Sequence, residues 1–299
     1  MKNKRTAHLL AILLMFIWGV SYLSIKVVVE EVEPTLTAFY RFFIASIVLF
    51  FLMKTKYPQE KVLKEDKLRM ALGGFFGVAL YFFFENYSVA FTSASNVSIL
   101  ISSIPVFTLI SQRIVFKEKF TLFKTLGALL SFTGIIIVVL SKDRISLFSS
   151  GTIGDLMALG AALSWVIYNI ITSKFKGEYK SITITAYQAM WGTLFLSPSI
   201  FFSKLKVPSL PAALNILYLS LLCSFIAYIL YIYCLKNLGA TVITTYINLQ
   251  PIISLTAAAL ILKENVTLWQ VIGSLVIIAG VFLVNMDGKF NKEVFQEKI

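Results

Sequence analysis

Long runs of apolar residues, each about long enough to cross a lipid bilayer, recur along almost the whole chain. A hydrocarbon core of about 30 Å needs roughly 20 apolar residues in a helix. Ten such spans are predicted, at 7–28, 34–53, 70–90, 94–115, 122–140, 153–173, 182–203, 212–236, 239–262 and 268–286. Because lipid offers no hydrogen-bond partner to backbone N–H and C=O groups, these runs predict an all-α integral membrane protein with ten transmembrane helices.

The charged residues mark the ends of the spans. Only 14% of the residues are charged and 58% are hydrophobic, whereas soluble globular chains carry roughly 25% charged residues. The net charge of +12 lies mostly in short loops, where it signals topology, so no nucleic acid partner is expected. Nineteen Lys and Arg fall on the side of the N-terminus and five on the other. This asymmetry predicts a multi-pass protein of the cell (plasma or inner) membrane with both termini cytoplasmic.

The chain contains few residues of the kinds that enzymes use for catalysis. His8 is the single histidine, and Cys223 and Cys234 lie in one apolar span, about 16 Å apart along a helix, too far for a disulfide. The chain has no G-x-x-x-x-G-K-[ST] phosphate loop. We therefore expect no enzyme, no cofactor and no metal site. The sequence leaves the oligomeric state open.

The two halves of the chain resemble each other. A shift of 146 residues places Pro105 on Pro251, Lys117-Glu118 on Lys263-Glu264, Gly127 on Gly273 and Gly134 on Gly280. A shift of 147 places Trp18 on Trp165. The predicted repeats are 1–149 and 150–299, each with five spans. Because five is odd, the repeats would insert in opposite orientations, as two inverted five-helix repeats around a central cavity.

Polar and aromatic residues form one stripe on each of six predicted helices, at matching places in both halves. Polar groups inside a membrane are costly unless they face protein or water, so the stripes predict a shared cavity for a small-molecule substrate. The candidate substrate-binding residues are Trp18, Ser21, Tyr22, Tyr81, Glu85, Ser95, Ser98, Ser102, Trp165, Tyr168, Asn169, Tyr228, Tyr231, Thr244, Thr245 and Asn248. Pro105 and Pro251 are predicted to kink their helices near this cavity. The paired glycines at 127/134 and 273/280 predict close helix packing instead.

Glu85 is the one acid well inside an apolar span, and Arg41 and Lys26 lie at comparable depth in the outer halves of their spans. Glu85 is the deepest acid, and three interpretations of it remain open. It can pair with Arg41 or Lys26 as a structural contact, bind an amine of the substrate, or exchange a proton that drives transport. Lys26 can also reach the membrane surface with its long side chain.

The order of these motifs resembles the EamA-type family of the drug/metabolite transporter superfamily. The resemblance rests on Ile17-Trp18-Gly19-Val20-Ser21-Tyr22 in the first span, on Ala38-Phe39-Tyr40-Arg41-Phe42 in the second, and on the Pro, Lys-Glu and Gly positions that close each repeat. It implies a ten-helix inverted-repeat carrier, commonly an exporter of amino acids, other metabolites or toxic compounds. It also implies that Trp18, Trp165 and the stripe residues line the cavity.

These observations predict a secondary transporter embedded in the lipid bilayer that exports small metabolites by alternating access, with amino acids as the favoured cargo. Aromatic cations and drugs, nucleosides or sugars are alternative cargoes, and protons are a candidate coupling ion. A channel or a non-transporting membrane sensor is the alternative function.

Overall fold

The computed structural model describes residues 2–117, 121–140, 150–203 and 207–296, and helices make up nearly all of them. The first half contains α1 (Lys2–Val29), α2 (Pro34–Lys56), α3 (Lys64–Gly74), α4 (Tyr81–Phe91), α5 (Ala94–Ile101), α6 (Ile104–Phe116) and α7 (Leu122–Leu140). The second half contains α8 (Ser150–Ser173), α9 (Ser181–Leu196), α10 (Ser199–Phe202), α11 (Leu210–Tyr218), α12 (Ala227–Leu238), α13 (Ala240–Tyr246), α14 (Gln250–Ala257) and α15 (Leu268–Gln296). Glu118 of the predicted Lys-Glu motif lies outside the described residues, as do the loop residues Lys119, Lys142, Arg144, Lys204, Lys206 and Lys298.

Among the described residues, seven helical segments are long and apolar enough to cross a membrane, which makes this a multi-pass membrane protein. They are Lys4–Val29, Pro34–Lys56, Lys64–Phe91, Ala94–Val115, Ser150–Ser173, Leu210–Leu238 and Ala240–Leu262. The predicted spans 122–140, 182–203 and 268–286 also lie in helices. Among the side chains that the structure describes, Thr125–Val138 and Leu268–Leu283 form shorter apolar helices. That these three also cross the membrane stays a prediction.

In each of the two proline-containing spans, one tight turn interrupts the regular α-helix, and we call this turn a break. α5 ends at Ile101, the chain turns at Ser102 and Ser103, and Pro105 lies in the first turn of α6. In the second half, three residues of 3₁₀ helix (Ile247–Leu249) precede Pro251, which lies in the first turn of α14. Proline lacks an N–H and fits the first turn of a helix, where that N–H has no partner. Each break therefore falls just before its proline.

Two further helices widen into π-helical turns at corresponding places. Phe75–Leu80 joins α3 to α4, and Leu219–Ile226 joins α11 to α12. Gly77 in the first of these turns allows close approach, because a Cβ there would lie 2.3 Å from the ring of Tyr168. Its carbonyl also accepts a hydrogen bond from Tyr228 Oη at 2.7 Å. Such turns often occur at functional sites, and here they bring α4, α8 and α12 together.

The predicted close packing of the last helix in each half is confirmed. α7 and α15 cross at their glycines, where a Cβ on Gly134 would lie 2.7 Å from the Gly273 carbonyl oxygen. A Cβ on Gly280 would lie 2.6 Å from the Gly127 carbonyl oxygen. Small residues allow helix backbones to approach where hydrophobic driving force between helices is weak. This pair therefore stands beside the cavity-forming helices and leaves the polar stripes to the others.

Connections from the two halves meet at each end of the bundle. Between α1 and α2, Glu31 accepts hydrogen bonds from the backbone N–H of Ser209 at 2.9 Å and from its hydroxyl at 2.5 Å. Near the start of α3, Asp66 accepts bonds from the N–H groups of Lys176 at 2.9 Å and Gly177 at 3.0 Å. The loops that meet around Asp66 are the basic 2–3 and 6–7 loops. Their meeting agrees with the pairing of ends that the charge asymmetry predicts.

Candidate substrate cavity

A small cavity, of about 20 Å³, lies where both broken helices meet the polar stripes. Ile101 and Ile104 approach it from either side of the first break, and Ile247 and Gln250 from either side of the second. The remaining lining residues are Trp18, Ser21, Tyr22, Arg41, Tyr81, Phe82, Glu85, Trp165 and Tyr228. Seven of the sixteen predicted substrate-binding residues thus meet at one place, together with Arg41.

The walls of the cavity are aromatic rings from both halves. Trp18 and Trp165 meet edge to face with their ring centroids 5.4 Å apart, and Tyr81 lies 4.9 Å from Trp165. Tyr228 lies 5.8 Å from Trp18. Edge-to-face pairs at these separations are favourable. The shift of 147 residues that relates Trp18 to Trp165 also relates Tyr81 to Tyr228, so counterpart residues face each other across the cavity.

Hydrogen bonds orient the polar groups of the lining. Tyr22 donates to Gln250 Oε1 at 2.8 Å and thereby joins α1 to α14. Trp18 donates from its indole nitrogen to the Cys223 carbonyl at 3.1 Å. Ser21 donates back to the Trp18 carbonyl at 2.7 Å. Buried polar groups are costly without partners, and these bonds hold the rings of α1 in place against the second half.

The two buried charges of the lining face each other. Arg41 of α2 and Glu85 of α4 are 1% and 4% exposed, and Arg41 Nη1 lies 3.9 Å from Glu85 Oε2. Lys26 points elsewhere, since its ammonium donates to the carbonyls of Val89 at 3.1 Å and Thr92 at 3.3 Å. Of the two cations that the sequence offered as partners of Glu85, the structure therefore selects Arg41.

The other predicted substrate-binding residues lie away from this cavity. Tyr168 and Tyr231 pack behind Trp165, with ring centroids 4.8 and 4.9 Å from it. Ser98, Ser102, Thr244 and Thr245 each donate to a backbone carbonyl of their own helix. Ser95 bonds to Glu264 at 2.7 Å, and Asn248 is buried beside the second break. Contact of these residues with a substrate stays a prediction.

Sequence reasoning missed Gln250, Phe82 and the three isoleucines of the lining. Gln250 carried a signal, because an amide directly before a proline inside an apolar span is costly unless it has a partner. The helical period hid it, since the 3₁₀ turn Ile247–Leu249 rotates Gln250 out of phase with the stripe at Thr241–Asn248. The isoleucines carried no signal in the sequence, because apolar residues in a membrane helix are equally suited to face lipid.

A second cavity, of about 270 Å³, lies next to the first. It is lined by Thr108, Ser111, Val166, Asn169, Ile170, Ser173 and Ala240, and so lies between α6, α8 and α13. Asn169 accepts a hydrogen bond from Tyr231 at 2.8 Å, and Tyr231 accepts one from the Trp165 indole at 3.0 Å. This chain of side chains separates the two cavities. Within the described ranges, no group of three His, Cys, Asp or Glu residues could hold a metal ion.

Both halves of the chain match one family model, described as the EamA-like transporter family, over residues 5–140 and 152–286. The chain belongs to the EamA-like transporter family. The resemblance read from its motifs is thereby confirmed, and with it the general role of a membrane transporter.

Relatives of the chain carry transporter names. An "Uncharacterized transporter" of Archaeoglobus fulgidus is 34% identical over 285 residues, which cover 94% of this chain and 97% of that protein. The "Uncharacterized transporter YoaV" of Bacillus subtilis is 26% identical, covering 89% of this chain and 92% of that protein. A solved structure titled "Crystal structure of protein" superposes with a TM-score of 0.71 at 16% identity, covering 94% of this chain and 98% of the other. That likeness shows a shared fold.

Proposed function

We propose that this EamA-family protein is a secondary active transporter that exports small metabolites by alternating access, with amino acids as its cargo. It crosses the cell membrane ten times, keeps both termini in the cytoplasm, and consists of two inverted repeats, 1–149 and 150–299. The observation that carries the proposal is the cavity at the two helix breaks.

The position of the cavity supports a carrier. In secondary transporters, substrates commonly bind at discontinuous helices, near the middle of the membrane and between the repeats. Here Ile101 and Ile104 of the first break and Ile247 and Gln250 of the second line one cavity. Trp18 and its counterpart Trp165 close it from the two halves. A rocking motion of one half against the other would separate these rings and open the cavity.

The chemistry of the lining supports an amino acid as cargo. The walls combine aromatic rings and isoleucines with an acid, a base, an amide and hydroxyl groups. Sites for small molecules use mostly apolar walls and a few placed polar groups that fix orientation. An amino acid with an apolar side chain has a polar charged end and an apolar body, and therefore suits both parts of this lining. Sugars and nucleosides would place most of their hydroxyl groups against these rings and isoleucines, without hydrogen-bond partners, which is costly.

An aromatic cation is the second candidate cargo. Trp18, Trp165 and Tyr81 are rings of the kind that bind cations through their faces, and Glu85 lies within the same cavity. Arg41, 3.9 Å from Glu85, works against this candidate, because a buried guanidinium repels a cationic ligand. The amino acid is therefore placed first.

Glu85 is also where a coupling proton would bind. The ionisable groups that face it are Arg41 of α2, Tyr81 of its own helix, Tyr22 of α1 and Tyr228 of α12. A proton on Glu85 would remove the negative charge that attracts Arg41. Protonation of Glu85 would thereby be coupled to the contact between α2 and α4.

The test is uptake of labelled amino acids into proteoliposomes that contain the purified protein, with and without an imposed pH gradient. We expect saturable uptake above empty liposomes and counterflow by unlabelled amino acid, which a channel does not support. Faster uptake under the gradient would assign proton coupling, and an unchanged rate would remove it. Folded protein that moves none of the amino acids would overturn the amino acid proposal, and uptake of an aromatic cation in the same vesicles would establish the second candidate.

A further inference from the structure

The buried charges Arg41 and Glu85 are each held on one side and open on the other. Arg41 donates from Nε to Ser224 at 2.9 Å, and its guanidinium lies over the Phe82 ring with Cζ 4.1 Å from the centroid. Glu85 accepts from Tyr81 at 2.8 Å through Oε1. These contacts fix both side chains, which line the cavity, and they leave Arg41 Nη1 and Glu85 Oε2 buried between the two residues.

Those two atoms have no hydrogen-bond partner within the part of the chain that the structure describes. They lie 3.9 Å apart, whereas hydrogen bonds between nitrogen and oxygen span about 2.7–3.2 Å. A buried charge that lacks hydrogen bonds is costly, even beside an opposite charge. The direct pair therefore leaves one donor and one acceptor of opposite charge unsatisfied, side by side on the same cavity.

An α-amino acid carries the two complementary groups on a single carbon atom. Its carboxylate matches the planar fork of donors on a guanidinium, which favours paired hydrogen bonds. Its ammonium donates to a carboxylate in the same way that a lysine does. One zwitterion can therefore satisfy Arg41 Nη1 and Glu85 Oε2 together, whereas a simple amine or a simple acid satisfies only one of them.

We infer that Arg41 and Glu85 form the binding site for the carboxylate and the ammonium of a zwitterionic amino acid whose side chain is aromatic or bulky and apolar. This inference rests on the transport function proposed above and names the groups that recognise the cargo. The side chain of the cargo lies among Trp18, Trp165 and Tyr81, with Ile101, Ile104 and Ile247 around it.

The rings must part to admit that side chain. Trp18 and Trp165 are in contact, with centroids 5.4 Å apart, and Tyr81 and Tyr228 pack against the same pair. The cargo replaces contacts between these rings with contacts to itself. An apolar or aromatic side chain preserves the lost packing, and a charged one does not. Binding of the cargo thus replaces the Arg41–Glu85 ion pair with contacts to the carboxylate and ammonium of the cargo. It also replaces the contacts between the rings with contacts to the cargo side chain.

The experiment measures binding of tryptophan and of two analogues that each lack one charge. Tryptamine lacks the carboxylate, and 3-indolepropionate lacks the ammonium. Purified full-length protein in lipid nanodiscs is titrated with each compound, and the dissociation constants are compared. Because hydrogen bonds to charged groups contribute about 1.5–3 kcal/mol, each analogue should bind roughly tenfold to a hundredfold more weakly than tryptophan.

Two single variants and one double variant assign each charge to its group. Glu85→Gln should weaken tryptophan but leave 3-indolepropionate unchanged, and Arg41→Gln should weaken tryptophan but leave tryptamine unchanged. Either single variant leaves a buried charge alone and can destabilise the fold, so the neutral double variant Arg41→Gln/Glu85→Gln is measured beside them. It should fold and bind all three indoles with equal, weak affinity. Lys26→Gln is the matched control, because it removes a cation of the same half that does not line the cavity.

The outcomes separate this inference from the proposed function. Wild-type protein that binds tryptamine as tightly as tryptophan would overturn the role of Arg41. Variants that weaken every indole by the same factor would show that the pair is structural, and that result would also overturn the inference. Amino acid uptake that survives in the neutral double variant would leave the transport proposal standing without this site. Absence of uptake for the whole amino acid panel in wild-type protein would instead remove the transport proposal itself.

Discussion

Two corresponding contact regions in the halves of this protein are packed differently. The first seam is the contact of α1 with α5 and α14, where a Cβ on Gly19 would lie 2.8 Å from Ile253 Cβ and Tyr22 bonds to Gln250. The second seam is the corresponding region between α8, α6 and α13, and it contains the cavity of about 270 Å³. Val166 and Asn169, the counterparts of Gly19 and Tyr22, line that cavity.

Similar repeat sequences therefore need not pack alike within one conformation of the protein. The first seam is closed by small residues and a side-chain hydrogen bond. In the second, Asn169 Nδ2 and Thr108 Oγ1 are buried and, among the residues described, lack a hydrogen-bond partner. Alternating access requires such inequality, since one side of a carrier must be closed while the other is open. The proposed transport cycle would exchange the packing of the two seams.

The largest expected effect is on closure of the first seam. Gly19→Val places a side chain where Ile253 already packs, and overpacking typically costs about 1–3 kcal/mol. We expect uptake in proteoliposomes to fall by roughly tenfold or more. The matched control is Val166→Leu, which adds a methylene beside the second cavity and should keep uptake within about twofold of wild type.

Moving a methyl group across the first seam tests the same contact. Gly19→Ala alone should slow uptake, and Gly19→Ala with Ile253→Val should restore part of it, because the pair adds one carbon atom on one side of the contact and removes one on the other. Equal losses for Gly19→Val and Val166→Leu would contradict the difference between the seams.

The second expected effect is unequal chemical access to the seams. Ser111 lines the second cavity, and Ala257 of α14 is its counterpart 146 residues later. In a background with Cys223 and Cys234 replaced by Ala, Ser111→Cys should react with a small polar thiol reagent about tenfold faster than Ala257→Cys. Tyr22→Phe removes the hydrogen bond to Gln250, and such a bond typically contributes about 0.5–1.5 kcal/mol. The ratio of the two reaction rates should therefore fall by roughly threefold to tenfold. Equal reaction rates for Ser111→Cys and Ala257→Cys in protein that retains Tyr22 would contradict the assignment of an open and a closed seam.

A smaller effect is expected from the carboxylate that caps α5. Glu264 accepts hydrogen bonds from the N–H of Ala94 at 3.1 Å and from the Ser95 hydroxyl at 2.7 Å. An anion at a helix N-terminus typically contributes about 0.3–1 kcal/mol. Glu264→Gln should therefore raise the reaction rate of Ala257→Cys about twofold to fivefold, while Ser111→Cys changes less. Lys263→Gln, at the adjacent position outside this contact, is the control, and an equal rise with it would show that the cap is unimportant.

The smallest effect concerns pH at the loop between α1 and α2. Burial raises the pKa of Glu33, but hydrogen bonds from Tyr87 and from the N–H of Leu36 outweigh it and lower the pKa below the usual value. A lowered pKa in the folded state stabilises the protein above the ordinary pKa of a glutamate. That stabilisation disappears as the pH falls through the lowered pKa.

Thermal unfolding scans from pH 7 to pH 3 measure this contribution. Wild type should lose slightly more stability than Glu33→Gln over the acidic part of the range, since the variant has no carboxylate to protonate. Parallel curves for the two proteins would show that Glu33 contributes nothing to acid sensitivity.

Much of the architecture was readable from particular residues. The apolar runs predicted the membrane helices, Pro105 and Pro251 marked both breaks, and Gly134 and Gly273 marked the close crossing of α7 and α15. These signals are local, because span length, proline geometry and glycine size act within one helix. Seven of the stripe residues line one cavity, since polar groups at helical spacing share a face.

The rest depended on contacts between distant parts of the chain. By itself the sequence determined a membrane-embedded helical protein with two related halves, because lipid demands apolar length and closed backbone hydrogen bonding. Only the tertiary structure decided that Arg41 rather than Lys26 faces Glu85 and that Gln250 bonds to Tyr22 across 228 residues. It also decided which seam is closed. Two similar repeats can each pack in either of two ways, and the choice is made by the whole bundle rather than by either repeat alone.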